Sequence, residues 1–451
     1  MSMMPMRVPG TMPGWNLRNL YRFQQNPMTF LQEVERTCGP LAFFTCGPRR
    51  FLLVAEPDLI GQVLMKQSKQ FEKSLAIKST KRFLGTGLLT NEGEDHLRNR
   101  RLMQPAFHMQ RVAAYADSMV QYAGDAQARW ADGQELDIAE EMMKLTLRVV
   151  GKTLFNSDTG ELGERVSAAM SVLMNLFPYL QLPFFPWLEY LPLPFVRRML
   201  AADATISEIV LNIIAERRRS GRDEGDLLSM LLNSQEEDGR GLTDQQVRDE
   251  VLTLFLAGHE TTGHALAYTW HLLAQHPEVA EKMRGEIAEV LGEGTPTMAD
   301  SRRLPYTEAV LTESMRLYPP AWVVARGALE DLELGNLPGV RIRRGTTIMM
   351  PQVLVHRQER FYEDPLSFRP ERWTPEFRAA LPRFAYFPFG GGPRACIGES
   401  FAWMELILVT AVIARRWRME PVVPAHELVL HPSVTLRPRT GVRVKLRRVG
   451  S

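Results

Sequence analysis

The sequence predicts a mainly α-helical fold with small β-sheets at its edge. Helical periodicity dominates from about residue 60 to residue 320 and returns after Cys396. Two short apolar runs flank a Gly-Pro turn within residues 40–60, and the stretch Leu332–Pro351 is rich in strand formers. The end of the chain predicts a half-exposed strand, because apolar residues alternate there with basic ones: Val442, Val444 and Leu446 with Arg443, Lys445 and Arg447.

One helix is expected to be unusually long. Thr243 and Gln246 have the spacing of a capping box, and the apolar pattern that follows continues to His276, where Pro277 stops it. About 30 helical residues at 1.5 Å per residue span roughly 45 Å. Since typical helices have about a dozen residues, we expect this one to cross the molecule at its centre.

Composition narrows the class of protein. The chain has 451 residues, of which 45% are hydrophobic and 24% charged, with a formal net charge of +2. That balance fits a protein with a substantial core and gives no basic field for nucleic acid. No Gly/Ser-rich or acidic linker divides residues 1–451, so we expect one domain, acting as a monomer. The three cysteines, Cys38, Cys46 and Cys396, argue against a disulfide scaffold or a structural zinc site.

The chain also lacks targeting signals. Its N-terminus has no apolar stretch of signal-peptide length, and Leu406–Ala414, the longest nearly continuous apolar run, is too short to span a bilayer. We therefore expect a cytoplasmic protein with no transmembrane segment. Residues 177–195 hold seven aromatic residues and five prolines. This broken apolar segment lines a substrate entrance or rests on a membrane surface, or it is simply a packed connection between helices.

Cys396 lies in a sequence suited to metal ligation. Gly390–Gly392 allows unusual backbone angles and close approach to a flat ligand, and Pro393 stiffens the turn. An amphipathic helix is predicted from about Glu399 to Arg416. A cysteine just ahead of a helix lies near unpaired N–H groups, which favour the thiolate that binds metals. A lone cysteine is usually an inert apolar residue, and this alternative is assigned to the other two cysteines.

These residues carry a resemblance to a known family. Phe389, Gly392, Arg394, Cys396 and Gly398 fit the pattern F-x-x-G-x-R-x-C-x-G. The pattern is similar to the haem-binding signature of the cytochromes P-450, the haem-thiolate monooxygenases. The resemblance extends over essentially the whole chain. It implies the fold of that family, with the long helix crossing the haem, and it makes Cys396 the iron ligand of haem b (heme b, iron protoporphyrin IX).

A second match is the motif E-x-x-R at Glu313 and Arg316. At positions i and i+3 the two side chains lie on one helix face, where they can pair. The motif alone is common on solvated helices. The resemblance adds Arg372, from the segment FRPERW, and implies a buried structural network of the three residues that holds the loop of Cys396.

A third match lies in the long helix. Ala257, Gly258, Glu260 and Thr261 fall in the segment AGHETT, which is similar to the family's oxygen-activation motif. Gly258 leaves room beside a ligand, and a hydroxyl and a carboxylate within one turn can relay protons. We expect one stripe to face the haem, formed by Leu254, Gly258, Thr261 and Ala265. The alternative is a surface acid beside two threonines that donate to their own helix backbone.

Haem also carries two propionates, which need cations. His96 and Arg100 match a family position at which tryptophan is commoner than histidine. Arg326, His356 and Arg394 occupy the other places that the resemblance implies. Arginine suits this role because its planar fork binds carboxylates in two-point contacts.

The resemblance implies that one oxygen atom from O₂ enters an apolar substrate, such as a fatty acid, terpenoid or steroid. Thr261 is expected to hydrogen-bond the reacting oxygen, and Glu260 to link it to solvent protons. No flavin or iron–sulfur segment is present in the sequence, so electrons are expected from a ferredoxin or flavodoxin with its NAD(P)H reductase. Arg98 and Arg101 are candidates for docking that partner, although exposed helix charges are usually only solvated.

Two other functions are compatible with a haem-thiolate chain. One is a peroxide-driven peroxygenase, which tends to lack the acid–threonine pair found here at Glu260 and Thr261. The other is a non-enzymatic haem sensor or carrier, which usually has a signalling module. A protein that no partner reduces and that never turns over favours the sensor.

Overall fold

The computed structural model describes residues 10–12, 16–156, 160–177, 191, 193–235, 241–335, 340–422 and 428–450. These residues form two compact units. The first unit comprises Met1–Leu75, Thr312–Cys396 and Leu430–Arg437. The second comprises Ala76–Leu311, Ile397–Val429 and Pro438–Ser451.

The first unit is organised around a mixed sheet. Its six strands are β1 (Gly10–Thr11), β2 (Leu41–Cys46), β3 (Arg49–Val54), β4 (Phe71–Lys73), β6 (Val324–Ala328) and β9 (Thr347–Met350), in the order β1-β2-β3-β9-β6-β4. β2 pairs with β3 in an antiparallel hairpin, which confirms the prediction for residues 40–60. Leu52 and Leu53 are both fully buried although they point to opposite faces. The sheet is therefore covered on both sides.

Two strand pairs complete the first unit. They are β7 (Leu332–Glu333) with β8 (Arg341–Ile342), and β11 (Leu430–Pro432) with β12 (Leu436–Pro438). With β9, the first pair confirms the predicted strand-rich patch before Pro351. The second unit holds a three-stranded sheet of β5 (Glu135–Asp137), β10 (Trp417–Pro421) and β13 (Arg443–Arg448), in the order β10-β13-β5. In β13, Val444 and Leu446 are buried between more exposed basic residues, as predicted.

Helices make up most of the remaining described chain. In chain order they are α1 (Asn16–Gln25), α2 (Pro27–Cys38), α3 (Pro57–Gly61), α4 (Leu75–Ser79), α5 (Lys81–Leu84), α6 (Gly93–Met103), α7 (Met109–Ala114), α8 (Ala116–Ala128), α9 (Ile138–Phe155), α10 (Gly160–Asn175), α11 (Pro194–Ser220), α12 (Leu227–Asn233), α13 (Asp244–Gln275), α14 (Pro277–Leu291), α15 (Met298–Ser301), α16 (Pro305–Leu317), α17 (Gln352–Val355), α18 (Pro375–Ala380) and α19 (Glu399–Ala414). The fold is thus mainly helical with several small sheets, as expected.

The long helix is α13. It has 32 residues, and the capping box of Thr243 and Gln246 is present at its start. Its last residue precedes His276, whose following proline opens α14. α9 packs closely along it: the Thr146 hydroxyl donates to the His259 carbonyl at 2.9 Å. The sequence therefore predicted both ends of this helix correctly.

The helix after the cysteine, α19, differs from its prediction. It begins at Glu399 as expected, but it is not amphipathic, because Phe401, Ala402 and all of residues 404–414 are buried. α8, α13 and α14 pack around it within the second unit, which removes any solvent face. Its apolar composition thus reflects burial on all sides.

Two further expectations concern membranes and residues 177–195. None of the described helices has the length and apolar character needed to cross a bilayer. Residues 178–190 and 192 lie outside the described part of the chain. The entrance interpretation of that segment therefore stays a prediction, between α10 and α11.

Candidate active site

Cys396 is presented by a tight turn of the first unit. Its backbone N–H donates to the Phe389 carbonyl at 3.0 Å, which closes the loop between them. Gly390 and Gly392 have φ angles of +73° and +71°, in the left-handed region that glycine adopts without strain. The cysteine itself is exposed and lies three residues before the first residue of α19. A thiol in this position is accessible to a ligand.

The glycines of this loop serve packing as well as backbone freedom. A Cβ atom on Gly392 would lie 1.9 Å from the Leu64 carbonyl oxygen, and one on Gly391 would lie 2.6 Å from Cε1 of Phe384. Both distances are shorter than real contacts, so a side chain at either position would displace the loop. These two glycines thus allow a close approach to the protein's own chain, and the approach to a flat ligand stays a prediction.

The other two cysteines differ from Cys396. Burial raises the pKa of the Cys46 thiol to about 12, and burial also raises the pKa of Cys38. Both therefore stay protonated at neutral pH, and protonated thiols are poor metal ligands.

Glu313 is the centre of a buried network in the first unit. Its side chain is fully buried with that of Arg316, which donates to both carboxylate oxygens. Arg372 Nε donates to Oε1 at 3.0 Å, the backbone N–H of Arg369 donates to the same oxygen at 3.0 Å, and Trp373 Nε1 donates to Oε2 at 2.8 Å. All three residues named from the sequence are thus in direct contact, and two further donors join them.

His356 is placed where it cannot act as a cation, so the expectation that it binds a propionate is wrong. Its ring is fully buried, and Nε2 accepts the backbone N–H of Phe387 at 3.0 Å. Burial, together with the nearby charges of Arg316 and Arg357, lowers the pKa of His356 to about 3. The neutral ring instead fixes the loop that leads to Cys396.

One narrow face of α13 is not buried. From Val247 to Trp270 every residue is buried except Leu254, Ala257, Gly258 and Thr261. Their spacing of i, i+3, i+4 and i+7 places them on one stripe of the helix. We call these four residues the open stripe. Ala265, which the sequence had assigned to this stripe, is buried, and Ala257 takes its place as the most exposed member.

The acid and the threonine of this segment have different surroundings. Thr261 Oγ1 donates to the Ala257 carbonyl at 2.7 Å, and Thr262 Oγ1 donates to Gly258 in the same way at 2.8 Å. Glu260 is only 3% exposed, and its carboxylate lies 3.7 Å from Nε2 of His264. Both threonines thus bond their own helix, as the alternative interpretation predicted, but the acid is not a surface residue.

Gly258 has a packing role in addition to its place on the open stripe. A Cβ atom there would lie 2.9 Å from Cγ2 of Val150 in α9. The residue therefore permits the close contact between α9 and α13, whereas the sequence had suggested only that it leaves room for a ligand.

The remaining candidate propionate residues occupy one helix, one strand and one 3₁₀ turn. His96 and Arg100 lie four residues apart on one face of α6, the histidine buried and the arginine partly exposed. In the first unit, Arg326 lies in β6 and donates to the Ala325 carbonyl at 3.0 Å. Arg394 closes the 3₁₀ turn Gly392–Arg394, and its Nη1 donates to the Ser68 carbonyl at 3.4 Å.

Comparison with known proteins decides the family. A sequence model described as "Cytochrome P450" matches residues 8–445. The chain belongs to the cytochrome P450 family. It is 38% identical to a Streptomyces melanosporofaciens protein named cyclooctat-9-en-7-ol 5-monooxygenase, over 92% of this chain and 89% of that protein. It is 35% identical to the cyclooctatin synthase of the same organism, over 92% and 88%, and 35% identical to the pentalenene oxygenase of Streptomyces avermitilis, over 91% of each chain.

As a cytochrome P450 the chain is a haem-dependent monooxygenase, and its residues fit that cofactor. The exposed thiol of Cys396 is a suitable donor to iron, and the guanidinium groups of Arg326 and Arg394, in the same unit, are of a kind that suits carboxylates. The described residues contain no group of three or more His, Cys, Asp or Glu side chains arranged to hold a bare metal ion. The single thiol of Cys396 suits an iron that brings its own macrocycle and needs one ligand from the protein.

Sequence reasoning missed several residues of this P450. Trp373 follows Arg372 directly and was not recognised as a donor to Glu313. Glu405 is fully buried in α19, and desolvation raises its pKa to about 8. An acidic residue between the apolar residues 401–404 and the apolar run that begins at Leu406 was the available signal for it.

Proposed function

We propose that this P450 hydroxylates a terpenoid, using haem b ligated by Cys396. The strongest support from the structure is the exposed Cys396, on a glycine turn just ahead of α19. The unpaired N–H groups at the start of that helix favour the thiolate. The names of the three Streptomyces relatives, two of them oxygenases, support a terpenoid substrate.

The proposal assigns the haem contacts to four cationic or hydrogen-bonding side chains: His96, Arg100, Arg326 and Arg394. Arg394 and Arg326 come from the same unit as Cys396. When bound, haem supplies the reduction of O₂ and the transfer of one oxygen atom to the substrate. Phe389, Gly392 and Gly398 shape the turn that carries the ligand. Glu313, Arg316 and Arg372 hold the segment that precedes it.

Thr261 and Glu260 are proposed to relay protons to the reacting oxygen. The Thr261 hydroxyl already donates to Ala257, so its lone pairs remain able to accept a hydrogen bond from a water or a protonated oxygen on the open stripe. Glu260 lies one position away but is buried against His264. A change of rotamer, or transfer through its histidine neighbour, would let Glu260 exchange a proton with the open stripe.

The same surface supports the proposed substrate class. Leu254, Ala257 and Gly258 are apolar or without a side chain, so a molecule lying on the open stripe meets almost no polar group except Thr261. Val323 and Val324, partly exposed in the first unit, are further apolar candidates. Such a surface suits a hydrocarbon skeleton with few functional groups, which terpenes have.

Electrons are proposed to come from a ferredoxin or flavodoxin with its NAD(P)H reductase. The exposed side of α6 carries Arg101 and the partly exposed Arg98, close in sequence to Arg100. A basic helix face attracts the acidic surface of such a carrier, and that attraction weakens as salt is added.

The test is the spectrum of the reduced protein with carbon monoxide, followed by titration with terpene hydrocarbons. A strongly red-shifted Soret band of thiolate-ligated haem, and a high-spin shift on addition of a terpene but not of a fatty acid, support the proposal. A band typical of histidine-ligated haem, or no haem at all, contradicts the ligand assignment. A shift with fatty acids alone contradicts the substrate class.

A further inference from the structure

Three consecutive charged residues are buried inside α13. Arg248, Asp249 and Glu250 are 5%, 2% and 0% exposed. Charged side chains are almost never buried to this extent unless they are paired. None of the three belongs to the motifs that identify the haem site, and the proposed reaction does not use them. Their hydrogen bonds show which parts of the chain these three residues hold in place.

Asp249 and Glu250 bind the backbone of residues 85–90, a segment we call the wall loop. Glu250 Oε2 accepts the N–H of Leu88 at 2.8 Å, and Asp249 Oδ2 accepts the N–H of Thr86 at 2.7 Å. The other oxygen of Glu250 accepts from Asn99 Nδ2 of α6 at 2.6 Å. Two carboxylates thus fix alternate N–H groups of one short loop.

The wall loop lies directly on the helix. A Cβ atom on Gly85 would lie 2.1 Å from the carboxylate of Asp249, and one on Gly87 would lie 2.2 Å from Oγ1 of Thr253. Only residues without a side chain fit at these two positions. The loop backbone therefore reaches α13 between Asp249 and Thr253.

Arg248 links Phe83, which precedes the wall loop, and α11 to the same part of α13. Its Nη1 donates to the Phe83 carbonyl at 3.1 Å and to Asp249 at 3.0 Å. Its Nη2 donates to Ser207 Oγ at 2.6 Å and to Asp203 Oδ1 at 3.0 Å, both in α11. The guanidinium group thus joins the start of the wall loop to α11 and α13.

The wall loop and the open stripe share one face of α13. Glu250, which accepts the N–H of Leu88, has the spacing i, i+4, i+7 and i+11 with Leu254, Ala257 and Thr261 of the open stripe, so all four lie on one face of the helix. One helical turn is about 5.4 Å. The wall loop is thus held at Glu250, about one turn before Leu254, the first residue of the open stripe. A molecule on the open stripe therefore meets the wall loop at the N-terminal end of the stripe.

We propose that Arg248, Asp249 and Glu250 are positioning residues that fix the wall loop as the end wall of the substrate pocket. They thereby set how far a substrate extends along α13 from the haem. This inference rests on the proposed function, because the open stripe faces a substrate only in a haem-loaded P450.

The experiment first disrupts and then reverses the hydrogen bond between Asn99 and Glu250 in the haem-loaded protein. Asn99→Asp places a carboxylate against Glu250 Oε1 in place of the amide that now donates to it. The double variant Asn99→Asp/Glu250→Gln restores a donor–acceptor pair with the roles exchanged, and the glutamine oxygen can still accept from Leu88. Glu286→Gln is the matched control, because Glu286 accepts the N–H groups of Tyr306 and Thr307 at another helix.

Two ligands distinguish binding to the haem iron from contact with the wall loop. Imidazole is expected to occupy only the space next to the haem iron, whereas 4-phenylimidazole is larger and is expected to meet the wall loop. The readouts are the ratio of their dissociation constants, followed by the Soret shift, and the hydrogen exchange of the amides of Thr86 and Leu88. Haem content and imidazole affinity report that the site itself is intact.

Asn99→Asp is expected to change the ratio of dissociation constants by about tenfold and to speed exchange at both amides. The double variant restores both readouts, and Glu286→Gln leaves both unchanged. Faster exchange with an unchanged ratio overturns the inference, and so does unchanged exchange. If Asn99→Asp does not fold, Asp249→Asn must give the same two effects. A wild-type protein that shows no imidazole shift overturns the proposed function, and this inference with it.

Discussion

Arg316 binds both carboxylate oxygens of Glu313, with Nε donating to Oε2 at 2.7 Å and Nη2 donating to Oε1 at 2.8 Å. Its remaining N–H groups donate to the carbonyl oxygens of His356, Pro365 and Ser367. A guanidinium group has five N–H donors, and all five are used here. The pair thus joins α16 to the irregular chain that leads to the Cys396 loop.

The first prediction tests this use of the full guanidinium fork. Arg316→Lys keeps the charge but has fewer donors and no planar fork, so buried oxygens are left unpaired. We expect the free energy of unfolding to fall by about 3–5 kcal/mol, with loss of bound haem, as measured by urea denaturation and haem content. Arg369→Lys, whose side chain makes only exposed ion pairs, is the control and should change stability by about 0.5 kcal/mol or less. Equal losses in the two variants contradict the prediction.

The same network shows which contacts of the site could be predicted from the sequence and which could not. Glu313 and Arg316 were predictable as a pair because helical spacing alone brings them together. Trp373 and the three carbonyl acceptors were not, because they come from irregular chain whose path no periodicity describes. His356 was misjudged for a related reason. The family resemblance suggested that it binds a propionate, and only the folded chain shows that its ring is buried.

The second prediction concerns the ligand. Cys396→Ser is expected to abolish the red-shifted Soret band of the reduced carbon monoxide complex, because a serine hydroxyl does not supply thiolate electron density. Cys38→Ser is the matched control, since that thiol is half-buried in α2 and protonated. Retention of the band in Cys396→Ser, or its loss in Cys38→Ser, would show that the ligand was assigned wrongly.

The third prediction concerns Thr261. Thr261→Ala removes the only side-chain hydroxyl on the open stripe while leaving the helix intact. We expect haem and substrate binding to be unchanged, and the product formed per NAD(P)H consumed to fall severalfold as electrons are diverted to peroxide. Thr269→Ala is the control, because Thr269 makes the same kind of bond to its own helix at a fully buried position. Equal coupling of electrons to product in both variants argues against a role for Thr261.

The open stripe also shows a feature that could be predicted only in part from the sequence. The length and caps of α13 could be predicted, because they depend on local signals. The face that stays unburied could not be predicted in full, because it depends on which neighbours pack around the helix. Ala257 and Ala265 are the same residue type, two turns apart, yet the first is exposed and the second is buried.

The fourth prediction is a dependence of stability on pH that arises from Glu405. Desolvation raises the pKa of this fully buried carboxyl from its ordinary value of 4.5 to about 8. Between these values the unfolded chain has lost the proton and the folded chain keeps it. Folding therefore takes up a proton in this range, and the stability present at low pH is lost as the pH rises toward 8. The slope for one proton is about 1.4 kcal/mol per pH unit.

Glu405→Gln isolates this effect, because the amide is similar in size and stays neutral at every pH. The difference in unfolding free energy between the variant and the wild type cancels the contribution of other groups, including His356, whose pKa of about 3 acts at lower pH. We expect that difference to grow in favour of the variant from about pH 5 to pH 8 and to level off above, by urea denaturation at successive pH values. A difference that stays constant across this range means that Glu405 ionises in the folded protein as it does in the unfolded chain, and that its burial is relieved by a proton-independent contact.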